Sequence, residues 1–397
     1  MAHPGASRRP SVGTSHGEIL QLVRRFPEIS RSDIARATGL ALSTASQRVD
    51  DLIRSELLVD AGLRASRGGR RATRLEIGRG RGRIGLILIA PGHSEVRIVN
   101  LHGETLADRP AADTPLTDPQ QALERLYATL IRLSREEAPA VTLDCVAIVV
   151  AAPVEQSTGT VTSPAALPGW HGTPIAEIVS SLTDIPIFVE NLSNMEALAE
   201  RAHTPDDPNL ITVALSDHIG CGIIVHGELY RGAFGSAGEI GHNSVPADAV
   251  VSCTCTAPNC LESTASGRAI AHRLRESGFD VTDLDDIVRL GNGTQREAVD
   301  IVRAAGRLIG TAVAAVVNFF DPQQVVVSGP LASCVPLTSA IRATIMEQAL
   351  PANTAQLSVR ITELGNDAAL RGAAYLCADV LLSPQRVDET LASSPQK

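Results

Sequence analysis

Four side chains in one short stretch have the types and spacing to hold a metal ion. His242 follows Gly238-Glu239-Ile240-Gly241, and eleven residues later comes Cys253, followed by Cys255 and Cys260. Three thiolates and one imidazole make a closed tetrahedral donor set for Zn2+, and a Cys-x-Cys knuckle with a third thiolate close behind can wrap one ion in a tight loop. A closed set leaves no position for water or substrate, so the ion is expected to be structural rather than hydrolytic. The alternative is three idle buried cysteines. An odd total of seven, with Cys145, Cys221, Cys334 and Cys377 scattered, argues against a disulfide framework.

Other chemistry is excluded by composition. The only lysine among the 397 residues is Lys397, so neither a Walker A phosphate loop nor a Schiff-base enzyme can be built. No apolar run approaches the roughly 18 residues of a membrane span. Met1 to Gly17 carries Arg8 and Arg9 but no apolar segment of the secretory kind, and residues 1–15 read as a disordered arm rich in Gly, Ser and Pro. A cytoplasmic protein is expected. Aromatic residues make up only 3%, so the cores must be built from Val, Leu, Ile and Ala.

The elements that position such groups begin with a basic head. Residues 1–83 hold 16 arginines against 8 acidic residues, a net of +8, while the remainder holds 19 basic and 36 acidic residues, a net of −17. A basic head on an acidic body suits contact with a polyanion. Ile19, Leu20, Val23 and Phe26 fall at helical spacing in a first helix, and Ser30 or Ser32 caps a second in which Ile34, Ala35 and Ala37 face inward. Gly39 breaks it, and Ser43 is expected to cap a third helix, to about Ser55, with Ala45, Val49, Leu52 and Ile53 buried. In such a unit the last helix enters the major groove, placing Ser43, Thr44, Ser46, Gln47 and Arg48 at base edges. Leu57 to Val59 and Thr73 to Ile77 read as the strands of a wing, whose basic loop offers Arg67, Arg70 and Arg71 to the phosphate backbone or a narrow minor groove.

From Ile84 the pattern changes to hairpin-rich strands alternating with helices, in two successive sets. Strands are expected at residues 84–89, 96–99, 146–150 and 186–190, and then at 210–215, 223–225 and 324–328. Helices fall at about 120–135, through Met195 to Ala199, and at about 267–277 and 297–320. This describes a two-lobed α/β body with a cleft.

At this point the chain resembles the ROK family (repressor, open reading frame, kinase). The resemblance is carried by Gly68-Gly69-Arg70-Arg71, Leu167-Pro168-Gly169-Trp170, Val189-Glu190-Asn191, the run from Gly232 to His242, the cysteine knuckle with Leu261-Glu262, Asp321-Pro322, and Gly372-Ala373-Ala374. It implies an N-terminal winged helix-turn-helix, residues 16–82, and an actin/hexokinase-like body of two ribonuclease-H-like lobes, residues 83–383. Lobe 1 would take about 83–205 plus 368–383 and lobe 2 about 206–367, with 384–397 a flexible tail. It also implies a sugar in the cleft, contacted by Asn191, Glu239, His242 and Glu262, as in regulators of the N-acetylglucosamine and xylose repressor type.

The sequence departs from the family's kinases where phosphoryl transfer needs it most. The stretch that supplies their general base reads Glu190-Asn191-Leu192-Ser193-Asn194, and Leu192 cannot accept a proton. The first phosphate loop has no acidic residue between Arg83 and Ser94. The second reads Ser216-Asp217-His218-Ile219-Gly220-Cys221-Gly222, with a carboxylate where phosphate oxygens should lie and an imidazole in place of a glycine. The paired glycines of the adenosine site read Ser328-Gly329-Pro330, and the usual Asn before Leu167 is Ala166. The expectation is a homodimeric or homotetrameric repressor with no catalytic residues, binding a double-stranded DNA operator, a structural Zn2+ and a sugar or sugar-phosphate effector. Three alternatives stay open: Glu239 and Glu262 only buttress the zinc loop, the protein is an ATP-dependent sugar kinase with a DNA-binding head, or it represses without a ligand.

Overall fold

The computed structural model describes residues 14–26, 28–63, 73–80, 82–163, 167–205, 207–255 and 257–393. Arg67, Arg70 and Arg71 of the expected wing, the arm up to residue 13 and Ala166 lie outside the described residues. The chain divides into two compact units, one formed by residues 1–84, 99–105 and 376–397, the other by 85–98 and 106–375.

In the first unit, helix α1 (His16–Arg25) opens with a capping box, Ser15 Oγ accepting from Glu18 N–H and Glu18 Oε2 accepting from Ser15 N–H at 2.7 Å. Its buried stripe is Ile19, Leu20, Leu22 and Val23; Phe26, expected in that stripe, lies just past the helix end and is 50% exposed. Helix α2 (Arg31–Thr38) repeats the device with Ser30 and Asp33 and stops at Gly39, whose φ of 73° suits a residue without Cβ. Ile34 is buried, but Ala37 faces solvent, against expectation. Helix α3 (Leu42–Arg54) begins one residue before Ser43, so Ser43 is inside its first turn and no side chain caps it. Ala45, Val49 and Leu52 form its buried stripe as expected, with Ile53 only half-buried. Strands β1 (Leu58–Leu63) and β2 (Thr73–Ile77) pair antiparallel, Leu58 opposite Ile77 and Asp60 opposite Leu75.

The expectation of a flexible tail from residue 384 is corrected. Residues Pro384–Ser393 form a helix that begins on proline, whose fixed φ suits a first turn, and that buries Val387. It packs on α1: Gly17 N–H donates to Asp388 Oδ1 at 3.0 Å and Gln21 Nε2 to the Leu382 carbonyl at 2.5 Å. Arg24 pairs with Asp379 at 3.0 Å. A Cβ on Gly17 would lie 2.3 Å from the backbone of Pro384, so only glycine permits this approach. Amphipathic helices need a partner to bury their stripe, and here the head supplies it.

The larger unit is built on two five-stranded sheets. The first has the order Thr105–Pro110, Glu95–Val99, Ile84–Ile89, Cys145–Val150, Ile187–Asn191, with the last two parallel and Val146 opposite Ile187. The second has the order Glu228–Leu229, Ile219–Val225, Leu210–Leu215, Gln324–Ser328, Ser358–Ile361. Its first two junctions are antiparallel and its last two parallel. Strands Ile84–Ile89, Cys145–Val150 and Leu210–Leu215 are buried throughout, which is why they read as unbroken apolar runs. Trp170 is fully buried and donates Nε1–H to the Leu116 carbonyl at 2.8 Å, a plug in the core of the first sheet. No helix among the described residues is long and apolar enough to cross a membrane.

Candidate functional site

The metal-ligand candidates converge. The ligand atoms of His242, Cys253, Cys255 and Cys260 all lie within 4.8 Å of one another. Gly238, at φ 90°, starts the approach; a Cβ there would sit 2.1 Å from the Cys221 carbonyl, so glycine lets the following turn, Ile240–His242, press against the sheet. Ser244 then bridges Cys260, and Leu261 N–H bonds Asn243 O at 2.9 Å, setting His242 beside Cys260. Cys253 Sγ lies 3.6 Å from His242 Nδ1. A tetrahedron with Zn–S bonds of about 2.3 Å has edges of roughly 3.8 Å, so a small contraction of this cluster encloses an ion, and the donor set fits Zn2+. The other imidazole nitrogen, Nε2, lies 3.6 Å from Glu239 Oε2, a carboxylate placed to orient the ligand ring.

Beside this cluster a cavity of about 240 Å3 opens where the ends of both sheets meet, lined by Asn191, Leu192, Glu239, His242 and Glu262 among others. All four expected sugar-contacting residues are therefore brought together. Asn191 is largely committed to the fold: as N-cap of helix Leu192–His203, its Oδ1 accepts from Asn194 N–H, and its Nδ2 donates to the Ala152 carbonyl at 2.9 Å. Burial, with the Glu262 carboxylate adding to it, pushes the Glu239 carboxyl up to about 7. The hydrogen bonds of Glu262 run to groups outside the cysteine set. Its Oε1 meets His218 Nδ1 at 2.8 Å and Arg268 Nη2 at 3.3 Å, and its Oε2 accepts Ile219 N–H at 2.9 Å. Burial works to raise this carboxyl, but the contacts with His218, Ile219 N–H and Arg268 outweigh it and hold it below its ordinary value.

Among the lining residues that the sequence reading passed over, one is charged. Glu196 is one helical turn beyond Leu192, the i, i+4 spacing that puts both on one face. Its Oε2 accepts the Ser328 hydroxyl at 2.6 Å, and burial pushes its carboxyl up to about 7, helped by the Glu200 carboxylate. Cys221 also lines the cavity, its thiol pushed up to about 12 by burial and therefore unreactive.

In the head, Ser43, Thr44 and Gln47 are exposed along α3, and Ser46 and Arg48 half-buried. Gln47 Nε2 is held by Asp51 Oδ1 at 3.1 Å. The sequence reading passed over Leu42, a large apolar side chain 56% exposed at the start of α3.

Compared with models of known protein families, residues 90–380 match the ROK family and residues 14–59 match a winged helix-turn-helix DNA-binding domain. The chain is similar to the xylose repressor of Caldicellulosiruptor bescii, 27% identical over 387 residues that cover 92% of this chain and 96% of the relative. It is similar also to the DNA-binding transcriptional repressor Mlc of Escherichia coli, 24% identical over 378 residues, covering 91% and 92%. Among solved structures it is similar to a ROK family transcriptional regulator described as a homolog of the E. coli Mlc protein, with a TM-score of 0.80 at 24% identity over 95% of this chain and 98% of that one. At that identity the likeness shows the fold.

Proposed function

Because the chain belongs to the ROK family, with a winged helix-turn-helix ahead of its ROK domain, we propose that it is a DNA-binding transcriptional repressor of sugar metabolism whose ROK domain senses a sugar without phosphorylating it. One observation carries this reading: a helix that exposes Ser43, Thr44 and Gln47 stands in the same chain as a cleft lined by Leu192, an alkyl side chain at the position that the family resemblance gives to the phosphoryl-transfer base. The relatives named repressors, which span nearly the whole chain, support it.

The parts take these roles. Ser43, Thr44, Ser46, Gln47 and Arg48 read base edges, and Arg67, Arg70 and Arg71 contact the phosphate backbone. His242, Cys253, Cys255 and Cys260 hold a structural Zn2+, whose binding free energy adds to the stability of the fold. Asn191, Glu239, His242 and Glu262 face the effector. A homodimer or homotetramer in the cytoplasm would present paired heads to a roughly palindromic operator. The effector shifts repression by favouring one closure of the cleft over another.

Sequencing of genomic fragments captured by the purified protein, with and without a panel of sugars, tests the reading. Enrichment of a few palindromic sites, released by one sugar, is the expected result. Sites that no sugar releases would leave a ligand-independent repressor. The absence of any enriched site at moderate salt would remove the head as a specific reader.

A further inference from the structure

The cleft is acidic in a way that bears on its ligand. Glu196, Asp217, Glu239 and Glu262 all line it, and among the described residues no lysine or arginine does, Arg268 reaching only Glu262 at 3.3 Å. Three imidazoles are present, but His218 is taken by Glu262 and His242 belongs to the metal set, which leaves the exposed His93. Asp217 has no hydrogen-bond or ion-pair partner for its side chain among the described residues.

In the turn that carries Asp217 the backbone offers no substitute for a cation. A phosphate nest needs successive N–H groups that are free and convergent. In the turn between strands Leu210–Leu215 and Ile219–Val225, Ser216 N–H is bonded to His218 O at 3.0 Å and His218 N–H to Ser216 Oγ at 3.2 Å. Ile219 N–H is bonded to Glu262 Oε2 at 2.9 Å. Of the four N–H groups in this turn, the remaining one belongs to the acidic residue itself.

We propose that the cleft accepts a sugar only in its unphosphorylated form, neutral or amine-bearing, and that Asp217 and Glu196 are the residues that reject a phosphoryl group. This rests on the sensing reading above and names the ligand class of that site. A phosphoryl group entering the cleft would face Asp217 and Glu196 in a partly desolvated site, where like charges repel more strongly than in water. Sugar hydroxyls instead donate to the same carboxylates, and an ammonium group would pair with them. Such a sensor reports a sugar before a phosphoryl-transfer step has consumed it.

The test is calorimetric titration of the full-length, zinc-loaded protein at pH 8, where Glu196 is ionised. The probes are glucose against glucose 6-phosphate, N-acetylglucosamine against its 6-phosphate, and ribose against ribose 5-phosphate, with D-xylose and inorganic phosphate alongside. The expected result is a parent sugar that binds at least tenfold more tightly than its phosphate ester, with the gap narrowed at least threefold in Asp217→Asn and in Glu196→Gln. A phosphate ester that binds as tightly as its parent overturns the inference while leaving sugar sensing intact. An undiminished gap in both variants overturns the assignment to these two residues. If no probe binds and none releases operator DNA, the sensing reading fails and the inference with it.

Discussion

His218 Nδ1 lies 2.8 Å from Glu262 Oε1, so an imidazole in the turn between strands Leu210–Leu215 and Ile219–Val225 is tied to a carboxylate that lines the cavity. The pair gives Glu262, only 3% exposed at its side chain, an imidazole partner. Replacing His218 with Ala removes one of three contacts to that carboxylate. We expect a loss of ~1–2 kcal/mol in unfolding free energy, the lower range for a hydrogen bond to a charged group, because Arg268 and Ile219 N–H remain. Urea denaturation monitored by fluorescence of Trp170 reads it, and an unchanged midpoint would show the pair to be energetically idle.

Cys255→Ser should release the metal. The wild-type chain is expected to carry one zinc per protomer by plasma mass spectrometry, and the variant well under half of that, with a lower melting temperature. Equal metal content and equal melting in the two proteins would refute the zinc assignment.

Arg48→Ala should weaken operator binding by about 1–3 kcal/mol if this long cation reads a base, and should relax preference at one position of each half-site. Arg48 is half-buried on α3, free of the Asp51 contact that restrains Gln47. Equal affinity across a set of operator variants would strike it from the reading surface.

Gly17→Ala should loosen the helix Pro384–Ser393, because the new methyl group would meet the Pro384 backbone at 2.3 Å. Overpacking of this kind costs ~1–3 kcal/mol. Faster amide exchange in residues 384–393 and in α1 is the expected sign; exchange indistinguishable from wild type would mean the contact is absent in solution.

Glu196 supplies a pH dependence. Its carboxyl, pushed to about 7 from an ordinary 4.5, keeps a proton in the folded protein that the unfolded chain has already released. The resulting stability is fully present below 4.5 and is lost as pH rises through 7, an effect on the order of 3 kcal/mol. Glu196→Gln should make the fall of stability between pH 5 and 8 shallower, the remainder coming from Glu239, and a slope equal to that of wild type would place the titration elsewhere.

Local pattern made much of this architecture legible. The stripes Ile19-Leu20-Val23 and Ala45-Val49-Leu52 marked their helices, and the spacing of His242, Cys253, Cys255 and Cys260 marked their convergence, because each is decided by neighbours in the chain. What escaped depends on partners distant in sequence. The helix Pro384–Ser393 looks like a polar tail until α1 is brought to cover Val387. Strands Thr105–Pro110 and Ser358–Ile361 lie at sheet edges, where exposed residues interrupt the apolar run. The Ser43 cap failed because serine only marks a helix start, and here the turn after Gly39 starts the helix one residue early. The capture of Glu262 by His218 joins residues 44 apart and has no local signature at all.

The hydrogen bond between Gly17 and Asp388 spans 371 residues of chain. At ribosomal speeds of about 5–20 residues per second, that stretch takes on the order of half a minute to synthesise. A nascent chain thus displays its three head helices long before the helix that completes their packing exists. A chain cut short of Asp388 is left with an α1 whose face lacks this cover.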